Sequence, residues 1–322
     1  MLRQFGRLYI ILLSKILPAA TATYLLVSCA ISNPTLGGFA IIYGISLYDG
    51  AYGEGIGNNL SYSDDDAVSV SDLFEEQGYQ VITRINSDAT KKNLEADVEW
   101  VAEMIGPGEP FVFYFSGHGI SYTFNEIAEI SKEPMHGDTP DEWIFLHGSV
   151  DYDALVDLQK GLSDDQLGSL LSPIDTSKKV IFIDACNSGG FIGTQCEIDA
   201  VSQAGDAGNP LGLIDALTTF FSYTKQIESD IPANQAVVIS AAGEQELSYE
   251  AYEYSHGVFT HHFLSVVTEA DRDRDGVITL TESYAYVRTM IESTWDYESF
   301  VPRISGGPVD FALFSTSPAP FR

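Results

Sequence analysis

An α/β fold, with a mostly parallel sheet covered by helices, is what the sequence predicts, and three observations predict it. From Phe39 onward, short apolar runs rich in β-branched and aromatic residues alternate with segments whose apolar residues recur at helical spacing. Glycines and prolines fall mostly between these runs, as punctuation in a compact domain would. Two of the apolar runs end in polar, glycine-flanked residues, which is how strands of a parallel sheet present a ligand crevice.

Phe39 to Ser46 is the first strand candidate. Asp64 is placed to cap a helix whose apolar residues Ala67, Val70 and Phe74 repeat at helical spacing, and Gly78 sits where a C-terminal cap is wanted. Gln80 to Arg84 reads as strand. Leu94, Val98, Val101 and Ile105 form one apolar stripe on a helix stopped by Gly106-Pro107, and Phe111 to Phe115 follows as a buried strand. Ser163 with Gln166 three residues on predicts a capping box for a helix through Leu167, Leu170 and Leu171. Val180 to Ile183 and Ala236 to Ser240 are the next strands. Between them, residues 120–162 carry scattered Pro134, Gly137, Pro140 and Gly148 and predict loops over the sheet edge, and residues 193–231 predict a loop with some helix around Leu211 to Phe221.

The charge narrows the function classes. With 46 acidic against 16 basic residues the net charge is −30, so phosphate backbones are repelled and nucleic-acid binding is excluded. Cationic partners, metal cations or simple solubility remain. Three cysteines, Cys29, Cys186 and Cys196, are too few for a disulfide framework, so each is explained singly.

Phe111 to Phe115 runs into Ser116-Gly117-His118-Gly119, and Val180 to Ile183 runs into Asp184-Ala185-Cys186-Asn187-Ser188-Gly189-Gly190. Two such strand tips face one crevice and bring an imidazole and a thiol within reach. An imidazole lowers the pKa of a neighbouring thiol and returns the proton to a departing amine, so Cys186 is the candidate nucleophile and His118 the candidate general base. Flanking glycines let a peptide backbone approach and leave main-chain N–H groups for an oxyanion.

These two segments resemble the catalytic signatures of caspases, metacaspases and their bacterial relatives. Further matches are Gly44-Ile45-Ser46, the run from Leu60 through Tyr62, Asp64 and Asp66 to Ala67, Asp141-Glu142-Trp143-Ile144, and Gly257-Val258-Phe259-Thr260. The resemblance implies a caspase-like three-layer sandwich with a sheet of about six strands, occupying residues 39–318 as one peptidase domain. It implies a cysteine endopeptidase acting through an acyl-enzyme on a His118–Cys186 dyad, with the N–H groups of Gly119 and Cys186 as oxyanion donors and no cofactor for catalysis. Animal caspases carry glutamine two residues before the nucleophile, in a pocket selecting aspartate; this sequence has Asp184 there, as metacaspases do, and Asp66 matches their second pocket acid. With Ser116 these acids form the implied substrate-binding set. Paired carboxylates attract a guanidinium or ammonium, so the expected polypeptide substrates have arginine or lysine before the scissile bond. Asp66 and Asp184 as helix caps or loop ties remain open alternatives. His136, His147, His256, His261 and His262 read as structural, and Cys196 as a bystander or a redox partner of Cys186.

Asp271, Asp273, Asp275, Gly276 and Glu282 stand at positions 1, 3, 5, 6 and 12 of an EF-hand-type loop, residues 271–282, in which the Val277 carbonyl fills position 7. Carboxylates this crowded want a hard cation, which predicts structural Ca²⁺; a solvated acidic turn is the alternative. Helical stretches Val258 to Ala270 and Ser283 to Ile291 flank the loop.

Residues 1–29 open with Arg3 and Arg7 and run through an apolar stretch to Leu26-Val27-Ser28-Cys29, which reads as an export leader. The last four residues resemble a bacterial lipobox, with Cys29 the lipidation site; Lys15 and Pro18 interrupt the stretch against an ordinary spanning helix. Residues 30–38 read as a linker. The location expected is therefore exported, as a membrane-anchored lipoprotein or a periplasmic or extracellular protein. Two further outcomes stay open: the acyl-enzyme passing to an amine acceptor, and a catalytically silent caspase-like module binding partners through a calcium-loaded acidic face.

Overall fold

The computed structural model describes residues 36–48, 59–122, 141–149, 160–185, 236–242, 248–295, 301–304 and 310–316. The strands of the main sheet are β1 (Phe39–Gly44), β2 (Gln80–Ile85), β3 (Phe111–Ser116), β7 (Lys179–Asp184), β8 (Val237–Ser240) and β12 (Arg303–Ile304), and their order across it is β12-β8-β7-β3-β1-β2. All neighbours are parallel except β12, which runs antiparallel to β8 at one edge. This mostly parallel six-stranded sheet, flanked by helices, is the expected caspase-like α/β fold.

The central strands β1, β3 and β7 are buried along their whole length. A strand alternates its side chains between two faces, so a continuous apolar run feeds two cores. Ala40, Ile42, Val112, Tyr114, Val180 and Phe182 point to one, where they meet Phe74, Phe259, Phe263 and Tyr284. Phe39, Ile41, Phe113, Phe115, Ile181 and Ile183 point to the other and meet Leu94, Val98, Val101, Leu167 and Leu171. The helices covering the first face are α1 (Ser63–Glu76), α4 (Val258–Leu264) and α6 (Leu280–Thr294), with the single turn α5 (Val266–Glu269) between the last two; α2 (Lys91–Met104) and α3 (Asp164–Leu171) cover the second.

Several sequence expectations shift. Residues 120–162 were expected as loops, but β4 (Gly119–Tyr122), β5 (Asp141–Ile144) and β6 (Leu162–Ser163) pair there as a small antiparallel sheet. Strands of two to four residues are too short to show a period of two, so only their cross-strand bonds define them. Asp64 is not the cap of α1, whose N-cap Tyr62 makes no side-chain bond. Asp64 accepts from Ser46 Oγ at 2.5 Å and Asn86 Nδ2 at 2.7 Å, tying the exit of β1 to the start of α1. Ser163 does cap α3, accepting from Gln166 N at 3.2 Å, while Gln166 turns its own side chain to Lys91 Nζ. The expected helix from Val258 to Ala270 is split at Ser265 into α4 and α5. Leu211 to Phe221 lies outside the described residues.

Beyond the main sheet, β9 (Glu250–Ala251) and β10 (His256–Gly257) form a short hairpin, and β11 (Val277–Thr279) pairs antiparallel with β13 (Ala312–Ser315). Among the described residues no helix is long and apolar enough to cross a membrane.

Candidate active site

Strands β3 and β7 end level with one another: Ser116 is the register partner of Asp184, and Gly117 N–H carries the ladder one step further to Asp184 O at 3.2 Å. His118 follows at the tip, half-buried. Tyr48 holds it: the His118 N–H donates to Tyr48 Oη at 2.7 Å, the two rings lie 4.6 Å apart, and Tyr48 Oη donates to Phe145 O at 3.1 Å. Phe145 N–H closes the circuit by donating to His118 O at 3.0 Å. The main chain of His118 is thus tied on both sides with its ring against Tyr48, and Gly119 begins β4 beside it. Tyr48 carried no motif in the sequence, so its part in the site emerges only in three dimensions. Cys186, the other half of the expected dyad, lies outside the described residues, as do Cys196, Cys29 and His136. Counted along the chain, Cys186 stands two residues past Asp184, as His118 stands two past Ser116.

Parity along the strands decides what lies behind the tips. Ser116 and Asp184 are even-numbered, like Tyr114 and Phe182, and therefore face the side covered by α1 and α4. Asp66 on α1 comes to meet them, 1% exposed, with Asp184 at 5%. Asp66 Oδ2 accepts from Ser116 Oγ at 3.1 Å, Asp66 Oδ1 accepts from His256 Nδ1 at 2.8 Å, and Gly257 N–H is shared between both oxygens at 3.1 and 3.2 Å. Asp184 accepts from Ser248 Oγ at 2.6 Å and from Thr260 Oγ1 at 2.7 Å. Thr260 gives its one hydroxyl proton to Asp184, so Tyr114 Oη, 2.5 Å away, donates to Thr260. Neither aspartate acts as a helix cap.

The electrostatics follow from that enclosure. Burial pushes the Asp184 carboxyl up to about 7, and the nearby charge of Asp66 adds to the rise. Burial also raises Asp66, against the opposing pull of His256, Gly257 and Ser116. The hydrogen bond to Asp66 raises His256. Among the described residues Asp66 is met by an imidazole, whereas the Asp184 carboxylate is met by hydroxyls alone. Gly257 is required there: a Cβ on it would stand 2.8 Å from Asp184 Oδ2 and 3.0 Å from Asp66 Oδ2. His256, which the sequence assigned to structure, is in direct contact with an acid of the site; the clue was its place just before the Gly257-Val258-Phe259-Thr260 motif. His261 stacks on Tyr254, and His262 Nε2 lies 3.1 Å from Thr294 Oγ1. His147 Nδ1 is hydrogen-bonded to Leu47 O at 3.3 Å.

Residues 37–306 match the caspase domain as a family, which covers most of the chain. The chain belongs to the caspase-domain family. No curated protein matches it. Among solved structures it is similar to the crystal structure of protein GSU0716 from Geobacter sulfurreducens, with 21% identity over 85% of this chain and 95% of that one at a TM-score of 0.52. It is also similar to the crystal structure of Caspase-1 from Spodoptera frugiperda, with 12% identity, 86% and 90% of the two chains covered, and a TM-score of 0.41. Caspase-like proteases act on polypeptides, and a caspase domain is the fold of cysteine-peptidase-type hydrolases.

The caspase domain here carries a second acidic group. Carboxylate oxygens of Asp271, Asp273 and Asp275 lie within 4.8 Å of one another between α5 and β11. Gly276, at φ +86°, makes the turn that a side chain would strain. The loop's own amides partly satisfy the acids: Asp275 N donates to Asp273 Oδ1, Gly276 N to Asp271 Oδ2 and Val277 N to Asp275 Oδ1. Asp271 Oδ1 is shielded from solvent with no hydrogen-bond partner. Glu282 is turned elsewhere, accepting from Arg272 N at 3.3 Å and Thr279 N at 3.0 Å and completing a capping box at the start of α6. Three close carboxylates with one orphaned oxygen fit a hard cation, with Glu282 held by the backbone in this arrangement.

Proposed function

We propose that the chain is a cysteine endopeptidase that cuts after arginine or lysine. Cys186 gives its thiol proton to His118 and attacks the carbonyl carbon of the scissile peptide as thiolate. The oxyanion is met by the N–H groups of Gly119 and Cys186. His118 then protonates the departing amine, leaving an acyl-enzyme that water hydrolyses. The main chain of His118 is tied to Tyr48 and Phe145 and its ring lies against Tyr48, a support that suits a base taking part in both proton transfers.

The observation that carries the specificity is the buried pair Asp66 and Asp184 behind the β3 and β7 tips, with a single imidazole, on Asp66, among their described partners. A buried carboxylate pair calls for a cation, and a substrate's guanidinium or ammonium supplies it, with Ser116 aligning Asp66. Arg, Lys, Asp and Asn fluorogenic peptides offered to the purified chain, with Cys186→Ala as control, test the reading. Turnover after Arg or Lys that vanishes in Cys186→Ala supports it. Turnover after Asp alone overturns the pocket assignment, and full activity in Cys186→Ala overturns the mechanism.

The acidic loop is proposed as a structural Ca²⁺ site of Asp271, Asp273, Asp275 and the Val277 carbonyl, which Glu282 joins by re-aiming. Catalysis itself uses no cofactor in this reading. The chain is further proposed to be exported and tethered to a membrane through Cys29, a reading that rests on the leader sequence alone; a Cys29→Ser chain that still partitions with membranes removes it.

A further inference from the structure

Both oxygens of Asp66 are occupied in the folded chain, and the three donors differ in how readily they leave. Gly257 gives a main-chain N–H pinned in the β9–β10 hairpin, and Ser116 gives a hydroxyl from the end of a fully buried strand. The third is the His256 imidazole, whose side chain is 19% exposed while that of Asp66 is 1% exposed. Of the pair, the imidazole alone reaches solvent. It is also the one of the three donors that can carry a positive charge, and it sits 2.8 Å from the carboxylate. Resting on the reading of Asp66 and Asp184 as the floor of a specificity pocket, we propose that His256 is a tethered stand-in for the substrate's basic side chain: it holds Asp66 in the free enzyme and gives it up to an entering guanidinium or ammonium.

The surroundings of His256 favour its charged form. Asp65 and Asp66 face it from α1, Asp184 lies behind Asp66 on β7, and Glu250 stands on the paired strand β9, its carboxylate bound by the N–H groups of Ser61 and Tyr62. His261 on α4 is the neighbouring imidazole, which burial, and then the charge of His256, pushes down towards its neutral form. The raised affinity of His256 for its proton means that the stand-in competes best in acid and weakens as it loses charge. Ionisation of Asp184 near 7 works in the same direction, because a fully charged carboxylate pair binds a cation better. Binding of a basic substrate therefore tightens with rising pH through two separable steps, one on the imidazole and one on the carboxyl.

His256→Gln retains a donor but not the charge, and separates them. The expected result is a KM for arginine substrates about tenfold lower at pH 6, the size of losing one charged competitor, with the change carried by KM and not kcat. The pH profile of KM becomes shallower, keeping only the step near 7. A merely supporting histidine predicts the opposite sign, a KM that rises or stays; that result overturns the inference. A second measurement needs neither turnover nor substitution at His256. In the Cys186→Ala chain, NMR titration of the His256 ring with and without saturating arginine amide should show its pKa falling towards the ordinary histidine value when the ligand is bound, and no fall with glutamine amide. Arginine amide that binds by calorimetry yet leaves the His256 titration unmoved sinks the stand-in role and leaves the pocket reading intact. Arginine amide that fails to bind at all overturns the pocket reading and the stand-in with it.

Discussion

Two acidic clusters in one chain solve the same repulsion in different ways. Behind the strand tips, Asp66 and Asp184 are removed from water and each oxygen is met by donors from distant parts of the sequence: Ser116, Ser248, His256, Gly257 and Thr260. In the loop, Asp271, Asp273 and Asp275 stay near the surface, where Asp273 and Asp275 are exposed, and are met by amides within a few residues of themselves. The difference bears on what each cluster is proposed to bind. Fixed hydroxyls and one imidazole surround a planar carboxylate pair that suits a planar or pointed organic cation, whereas a tight loop with a bare oxygen on Asp271 suits a small hard ion.

The comparison breaks most readily at the buried cluster. Asp66→Asn or Asp184→Asn is expected to raise KM for arginine substrates about a hundredfold, the scale of losing a charge-assisted pair worth about 3 kcal/mol. Equal activity of the Asn variants on arginine peptides would show that the acids do not touch the substrate. At the loop, saturating Ca²⁺ at about 100 times Kd should stabilise the chain by about 2.7 kcal/mol. The rise in melting temperature should survive in Asp66→Asn and be lost in Asp271→Asn. Chelation that leaves the melting temperature of the native chain unmoved would remove the ion from the loop.

Gly257→Ala comes next, because its Cβ would be driven against both buried acids. A loss of about 1–3 kcal/mol is expected, read by chemical denaturation, and a variant as stable as the parent means the hairpin shifts freely. The pH dependence of stability is a finer probe of the same place. The folded-state carboxyl of Asp184 lies at about 7 against an ordinary 3.8, so its stabilising contribution is complete below 3.8 and is lost as pH rises to about 7. Asp184→Asn should flatten the melting-temperature profile across that window, and an unchanged slope would place the titrating group elsewhere. The smallest effect expected is from Tyr48→Phe, which removes the acceptor of the His118 N–H. A cost of about 1 kcal/mol in kcat/KM, or roughly fivefold, is the scale of one neutral hydrogen bond; no change at all would mean that ring packing alone positions His118.

Five strands, the stripe of α2 and the register of motifs around His118 and Asp184 were legible in the sequence, because a fully buried strand and an amphipathic helix each print their periodicity on consecutive residues. The closeness of Asp271, Asp273 and Asp275 was legible because they stand at alternate positions of one short stretch, whereas Glu282, counted with them in the sequence, is held by the N–H groups of Arg272 and Thr279. The antiparallel strands β4, β5 and β6 were not legible, since pairs of two to four residues leave no period. Asp64 looked like a cap and proved to be a tie to Ser46 and Asn86, because a carboxylate at a helix start reads alike whichever donors reach it.

What the sequence determined by itself is therefore local: the parity that sends Ser116 and Asp184 to one face, and the residue types proposed as acid, base and nucleophile. Only the tertiary structure decided that Asp66 meets them, that Gly257 leaves room for two carboxylates, that Tyr48 clamps His118, and that His256 binds Asp66. Each of these joins residues far apart in sequence, as with Asp66 and His256, whose meeting depends on α1 and the β9–β10 hairpin packing together above the sheet. Proximity of that kind is fixed by how buried faces fit, and a linear pattern of residue types carries no record of it.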